Sequence, residues 1–192
     1  MSNKESFELG YVYHVYTHGN GKDLIFRENE NYRYFLDKLL KYIAPIAEIY
    51  AYCLMPNHFH LLLRFKNLKS IPDNDEHKYL MKQFSNFLNG YAKAYNKKYS
   101  RKGALFLDYL KRKRVDDEKY LKKLFHYIHN NPVSHGFVEV IDVWKYSSYL
   151  SYINFHKESK IERKEMMQYF DTIKDFVEYH KSNVEYDFLT KE

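Results

Sequence analysis

The chain has 192 residues, with 31 Lys and Arg against 25 Asp and Glu for a formal charge of +6 at pH 7, and its pI lies near 9.0. Cys53 is the only cysteine, which excludes an internal disulfide framework and a cysteine-built zinc site. No run approaches the roughly 20 apolar residues of a membrane-spanning helix, and Met1 to Gly10 lacks an apolar leader segment, so no membrane association and a cytoplasmic location are expected.

Taken in chain order, Tyr11 to Thr17 alternates as a strand and ends at His18-Gly19-Asn20-Gly21, a tight loop. Glu28 to Ile43 sets Tyr32, Phe35, Leu36, Leu39, Leu40 and Ile43 at helical spacing before Pro45. Ile46 to Leu54 reads as a second strand, linked through Met55-Pro56-Asn57 to a third that opens with His58-Phe59-His60, an antiparallel hairpin. On such a strand His58 and His60 project from one face, close enough for one cation to bridge, while Phe59, Leu61 and Leu63 fall on the other. An ordinary buried, hydrogen-bonded role is the competing account of the pair. The turn just before it, however, places both imidazoles at the mouth of the strand.

A long helix is expected from about Asp75 to Tyr99, then a basic loop around Gly103, a fourth strand over Ala104 to Val115, and a helix from Asp116-Asp117-Glu118 to Asn131, stopped by Pro132. Strand, helix, strand, strand, helix, strand is the order of an α+β, ferredoxin-like βαββαβ antiparallel sheet, with the last helix packed on it. On that helix Leu121, Leu124, Phe125 and Ile128 centre the apolar stripe, and Tyr120, Tyr127 and Asn131 form a second row about a quarter turn away. Residues 1–150 are expected to form this domain and 151–192 a helical extension, in which Ile161, Met166, Phe170, Ile173 and Phe176 suggest a cap.

Between Tyr91 and Phe125 there are twelve Lys and Arg against four Asp and Glu, while the stretch from His156 onward carries seven against nine. Lys97, Lys98, Arg101, Lys102, Lys111, Arg112, Lys113, Arg114 and Lys123 are therefore the expected phosphate contacts, with Lys111, Arg112 and Arg114 lining one groove. Tyr95, Tyr99 and Tyr109 are candidates for stacking on unpaired bases, which favours single-stranded or hairpin DNA as the partner.

Met55-Pro-Asn-His-Phe-His-Leu-Leu-Leu63, followed by Tyr127-Ile-His-Asn-Asn-Pro132 and Gly136, resembles the single-tyrosine HUH transposases, most closely the REP-associated branch. Tyr13-His14-Val15, Tyr95-Asn96 with Gly103 and Phe106, and Trp144-Lys-Tyr-Ser-Ser-Tyr149 match as well, so the resemblance spans residues 11 to 150. It departs at His18, where many relatives have arginine, and from Ser151 onward. The resemblance implies His58, His60 and Asn131 as metal ligands and Tyr127 as the nucleophile that forms a 5′-phosphotyrosine. Two neutral imidazoles and an amide oxygen suit Mg²⁺ or Mn²⁺ acting as an electrophile. It also leaves a homodimer with exchanged helices open.

Three other readings remain open from sequence. One is a DNA-binding module of the same fold that has lost mobility, against which the presence of all three expected catalytic side chains counts. Another is a replication initiator or relaxase-like nickase, disfavoured by the lack of a P-loop. The third is a metal hydrolase in which Tyr127 only orients water.

Overall fold

The computed structural model of the chain describes residues 5–21, 23–69, 71, 75–107 and 110–186. The alternating segment forms β1 (Val12–His18), followed by α1 (Asn29–Tyr42), the hairpin of β2 (Ala47–Met55) and β3 (His58–Phe65), α2 (Glu76–Lys98), β4 (Lys111–Val115) and α3 (Glu118–Ser134). The four strands are antiparallel in the order β2-β3-β1-β4. This is the ferredoxin-like arrangement expected from the element order.

Strand alternation splits the apolar residues between two cores, one on each side of the sheet. Tyr13, Val15, Phe59, Leu61 and Leu63 are buried with Phe35 and Leu39 of α1 and with Leu80, Phe84 and Phe87 of α2. Each fully buried ring or aliphatic chain there contributes about 2 kcal/mol. On the other side, Tyr50, Cys53, Met55 and Leu62 pack with the α3 stripe of Leu121, Leu124, Phe125 and Ile128. A shift in register between Ile49 and Ala51 exchanges the faces of β2, so that Ala47 and Ile49 join the first core while Ala51, Cys53 and Met55 join the second.

Three short helices follow: α4 (Tyr149–Ile153), α5 (Lys164–Met167) and α6 (Ile173–Lys181). Met166, Phe170 and Phe176 are buried in the same core as α3, so the C-terminal segment does cap this side, although Ile173 is exposed. The Trp144 to Ser148 stretch lies along the open edge of β2: Leu54 N–H donates to the Tyr146 carbonyl at 2.9 Å, and Ser148 N–H to the Tyr52 carbonyl at 2.9 Å.

Two boundaries differ from expectation. β4 begins only at Lys111, because its pairing with β1 is confined to Val12 through Tyr16; farther upstream the segment touches β1's end through a bridge between Gly19 and Phe106. More consequentially, α3 does not stop at Asn131 but runs through Pro132 to Ser134. A proline within the final turn gives up one N–H. The end is instead closed by Gly136, at φ +70, whose N–H donates to Val133 while that of Phe137 donates to Pro132. Asn131 thus keeps its helical position, one turn beyond Tyr127.

Candidate active site

The face of the sheet beneath α3 is built by register. Directly opposed residues in an antiparallel pair share a face, and His18 lies opposite His58, Tyr16 opposite His60 and Lys111, and His14 opposite Lys113. His18 stacks on His58 with centroids 4.7 Å apart, and His135, just past the end of α3, comes within 5.2 Å of His58. His58 and His60 meet edge to face at 5.1 Å.

Helix α3 completes the arrangement. The Tyr127 ring stands edge-on to His60 at 5.4 Å and to His14 at 6.4 Å, and the residue is 4% exposed. One turn later the Asn131 Oδ1 lies 3.0 Å from His58 Nε2. Tyr186, from the segment after α6, packs edge to face on Tyr127 at 5.2 Å, and its hydroxyl lies 2.6 Å from His126 Nδ1.

Protons on the imidazoles are constrained by burial. Burial pushes the His58 pKa down to about 4, partly opposed by its hydrogen bond to Asn131, with His18 and His135 adding to the depression. His60 is held well below the ordinary histidine value, mainly by burial and then by the neighbouring histidines. A neutral imidazole has a single N–H. Yet His58 Nδ1 faces Asn57 Oδ1 at 2.8 Å while its Nε2 faces Asn131 Oδ1. With the Asn131 amide in this orientation one of those two contacts opposes a nitrogen lone pair to an oxygen, and turning the amide over, so that Nδ2–H donates to His58 Nε2, relieves it without a cation.

The orphaned His60 Nε2 is the test of whether a cation fits, because a ring nitrogen can present a lone pair to a metal and the Asn131 NH₂ cannot. His60 Nε2 and Asn131 Nδ2 are buried without hydrogen-bond partners, which natural structures rarely tolerate without a reason. A cation at His60 Nε2 would take up that lone pair, and His58 Nε2 and the Asn131 Oδ1 beside it are donors of the kind Mg²⁺ and Mn²⁺ accept. Among the described residues no group of three or more His, Cys, Asp or Glu is arranged to hold a metal. The donor set that fits is the two imidazoles and the Asn131 amide.

The basic residues do not form one groove. Lys111 and Lys113 lie on the histidine face, with their ammonium groups 5.2 Å from the Tyr16 ring and 4.7 Å from the Tyr120 ring. Arg112 and Arg114 point to the opposite face. Arg112 lies over Phe7 at 5.1 Å and donates to the Glu5 carbonyl, while Arg114 lies over Tyr11 and pairs with Glu8 and Asp116. The expected grouping of Lys111 with Arg112 and Arg114 therefore divides, because neighbours on a strand project oppositely.

Elsewhere, Lys98 pairs with Glu28 and Glu30, and Arg101 pairs with Asp23. Lys97 and Lys102 are exposed, and Lys123 is half-buried on α3. The Tyr95 ring is buried and its hydroxyl donates to the Leu24 carbonyl, whereas Tyr99 bonds to Glu28 and Asn31, so both rings are occupied within the fold. Tyr109 lies outside the described residues.

Four neighbours of the site carry no role that the sequence suggested: His14, Tyr16, His135 and Tyr186. His14 sits two positions from Tyr16 on an alternating strand, a signal that becomes legible only when β1 is paired with β3.

No family model matches the chain. A protein of Haemophilus influenzae whose name describes a REP-associated tyrosine transposase is 36% identical over 126 residues, a match that covers 60% of this chain and 62% of that relative. The chain thus spans less than two thirds of that relative's length. Among solved structures, that of a REP-associated tyrosine transposase bound to a REP hairpin superposes with a TM-score of 0.60 at 16% identity, covering 84% of this chain and 91% of the other. Both are REP-associated tyrosine transposases, the branch that the motifs resemble, and the second shares the fold.

Proposed function

We propose that this chain is a REP-associated tyrosine transposase that binds single-stranded or hairpin DNA, nicks it and rejoins it through Tyr127 with a divalent metal, Mg²⁺ or Mn²⁺. The observation that carries this reading is the meeting of Tyr127 with His60, and of Asn131 with His58, on one face of the sheet. The relative in Haemophilus influenzae and the hairpin bound in the fold neighbour support the substrate class.

In this reading the Tyr127 hydroxyl oxygen attacks the phosphorus of a phosphodiester. A tyrosine O–P bond forms as the P–O3′ bond breaks, the phenol gives up its proton, and the departing 3′ oxygen takes one up. The product is a 5′-phosphotyrosine and a free 3′-hydroxyl; the reverse attack by a 3′-hydroxyl on this linkage rejoins a strand without a nucleotide cofactor. His58, His60 and Asn131 would hold the cation, which when bound supplies positive charge to the non-bridging phosphoryl oxygens. Because all three ligands are neutral, none of that charge is offset by the protein. Helix α3 keeps the nucleophile in register with the ligands, since Tyr127 and Asn131 are one turn apart on a rigid element. Lys111 and Lys113 border the same face and neutralise backbone phosphates.

A labelled hairpin oligonucleotide incubated with the protein and Mn²⁺, then resolved on a denaturing gel, tests this. Wild type is expected to give a covalent adduct and Tyr127→Phe none. An adduct that survives Tyr127→Phe assigns the nucleophile to another residue, and hairpin binding with no adduct from wild type reduces the protein to a binding module.

A further inference from the structure

His14 occupies the centre of β1, where it is 4% exposed and its ring lies nearly parallel to that of His60, with centroids 5.1 Å apart and planes at 17°. Its Nε2 is 2.9 Å from His60 Nδ1. Two neutral imidazoles in such a contact place one proton between them, and that proton can belong to either ring. The choice decides what His60 can do.

If His14 Nε2–H donates, His60 Nδ1 accepts and the His60 proton must sit on Nε2. That N–H would then be buried with no acceptor, since His60 Nε2 has no partner, and no lone pair would remain there for a cation. If instead His60 Nδ1–H donates to His14 Nε2, the His60 Nε2 lone pair meets no donor and is left for a cation. Only the second arrangement makes His60 a ligand.

We propose that His14 is a positioning residue for the metal site: by accepting the His60 Nδ1–H it holds His60 in the tautomer whose Nε2 lone pair binds the cation. This rests on the reading of His58, His60 and Asn131 as the metal's ligands. Histidine ligands commonly donate their second N–H to a carboxylate or a backbone carbonyl. A neutral imidazole in that place orients the ring without adding negative charge. The site keeps an uncharged ligand set and its partner alike, which leaves the cation's field for the phosphate. It also implies weak, readily exchanged metal. Tyr16 stacks on the His14 ring at 4.5 Å and 18°, holding its plane.

Two variants separate acceptance of a proton from mere filling of space. His14→Gln retains an acceptor oxygen at about the reach of Nε2, whereas His14→Phe fills the space and accepts nothing. The full chain labelled with ¹⁵N at histidine, studied without metal by long-range proton–nitrogen correlation, reports the His60 tautomer directly. Wild type and His14→Gln are expected to hold the proton on Nδ1, and His14→Phe to move it to Nε2. Calorimetric titration with Mn²⁺ should then give 10- to 100-fold weaker binding for His14→Phe, about the cost of losing such a partner, and near wild-type affinity for His14→Gln.

Wild-type tautomer and affinity in His14→Phe would overturn the proposal, as would a His14→Gln variant that remains folded yet loses both. Failure of the underlying metal reading is a separate result: Mn²⁺ affinity of the wild type would be unchanged by His58→Ala, whatever the tautomer spectra show.

Discussion

The chain carries two buried clusters of histidines, one on each side of α3, and they differ in how their hydrogen bonds end. At the junction of α3 and α6, the His180 Nδ1–H donates to the Phe176 carbonyl at 2.9 Å, so its Nε2 accepts from the His129 Nδ1–H at 3.0 Å. His129 Nε2 in turn meets the Ser148 hydroxyl at 2.7 Å, and Ser148 Oγ accepts the Tyr52 N–H at 2.9 Å. A backbone carbonyl fixes one end and every proton follows from it. In the cluster of His14, His58 and His60 no backbone carbonyl among the described residues fixes an end, and His60 Nε2 is left over.

Burial and weakened basicity are common to both clusters and so do not identify a site. His14 and His180 are each pushed down to about 3, mainly by desolvation. What separates them is closure. A polar network that satisfies itself has a structural role, and one that leaves a ring nitrogen without a partner is prepared for something else. His126 stands between these cases, with Nδ1 at the Tyr186 hydroxyl and Nε2 without a partner.

Substitutions offer the sharpest way to break this contrast. His129→Leu strands His180 Nε2 and the Ser148 hydroxyl in the core, and its expected cost is about 3 kcal/mol of unfolding free energy with Mn²⁺ affinity retained. His58→Ala should do the reverse, losing Mn²⁺ affinity at a smaller cost in stability, because both of its ring partners are side-chain amides, which can turn to other groups. Urea unfolding together with calorimetric titration reads both quantities; equal losses of stability from the two variants would erase the distinction.

Acidity provides the next test. Both His129, well below its ordinary value, and His180, at about 3, stay neutral in the folded chain, in each case chiefly through burial. The unfolded chain takes up protons near pH 6.5. Below that value the unfolded state binds more protons than the folded one, so this contribution to stability is complete above pH 6.5 and is lost as the pH falls toward 3. At pH 5 the loss is about 2 kcal/mol for His180, and His129 adds to it in the same direction. Urea midpoints measured at pH 7 and pH 5 should show it, and His180→Gln should flatten the slope. A midpoint independent of pH over that range would show that the α3–α6 junction accepts protons while folded.

The smallest expected effect concerns charge on the two faces of β4. Replacing Lys111 and Lys113 with Gln should reduce the slope of log affinity for hairpin DNA against log salt by about 1.5. Replacing Arg112 and Arg114, whose guanidiniums are held against the 5–13 segment and Asp116, should leave that slope unchanged. The opposite pattern would place DNA on the other side of the sheet.

Much of the scaffold was legible along the chain. The alternation in Tyr11 to Thr17 and the run after His60 specified strands, the spacing of Phe35, Leu39 and of Phe84, Phe87 specified helices, and the fold followed from their order. Pro132 misled because the helix end depends on how Gly136 and Phe137 satisfy the last carbonyls, which the dipeptide before a proline does not record. The basic run misled differently: a count of charge is blind to the alternation that sends Lys111 and Lys113 one way and Arg112 and Arg114 the other.

The sequence by itself determined which short motifs sit on which elements, and therefore that two histidines share a strand face and that Tyr127 and Asn131 share a helix row, because local periodicity fixes side-chain direction within an element. Only the tertiary structure decided that these two rows meet, that His14 rather than a carboxylate stands behind His60, and that the segment after α6 brings Tyr186 against Tyr127. Those relations are set by strand register and by the packing of α3 across residues far apart in the chain, and no local pattern encodes them.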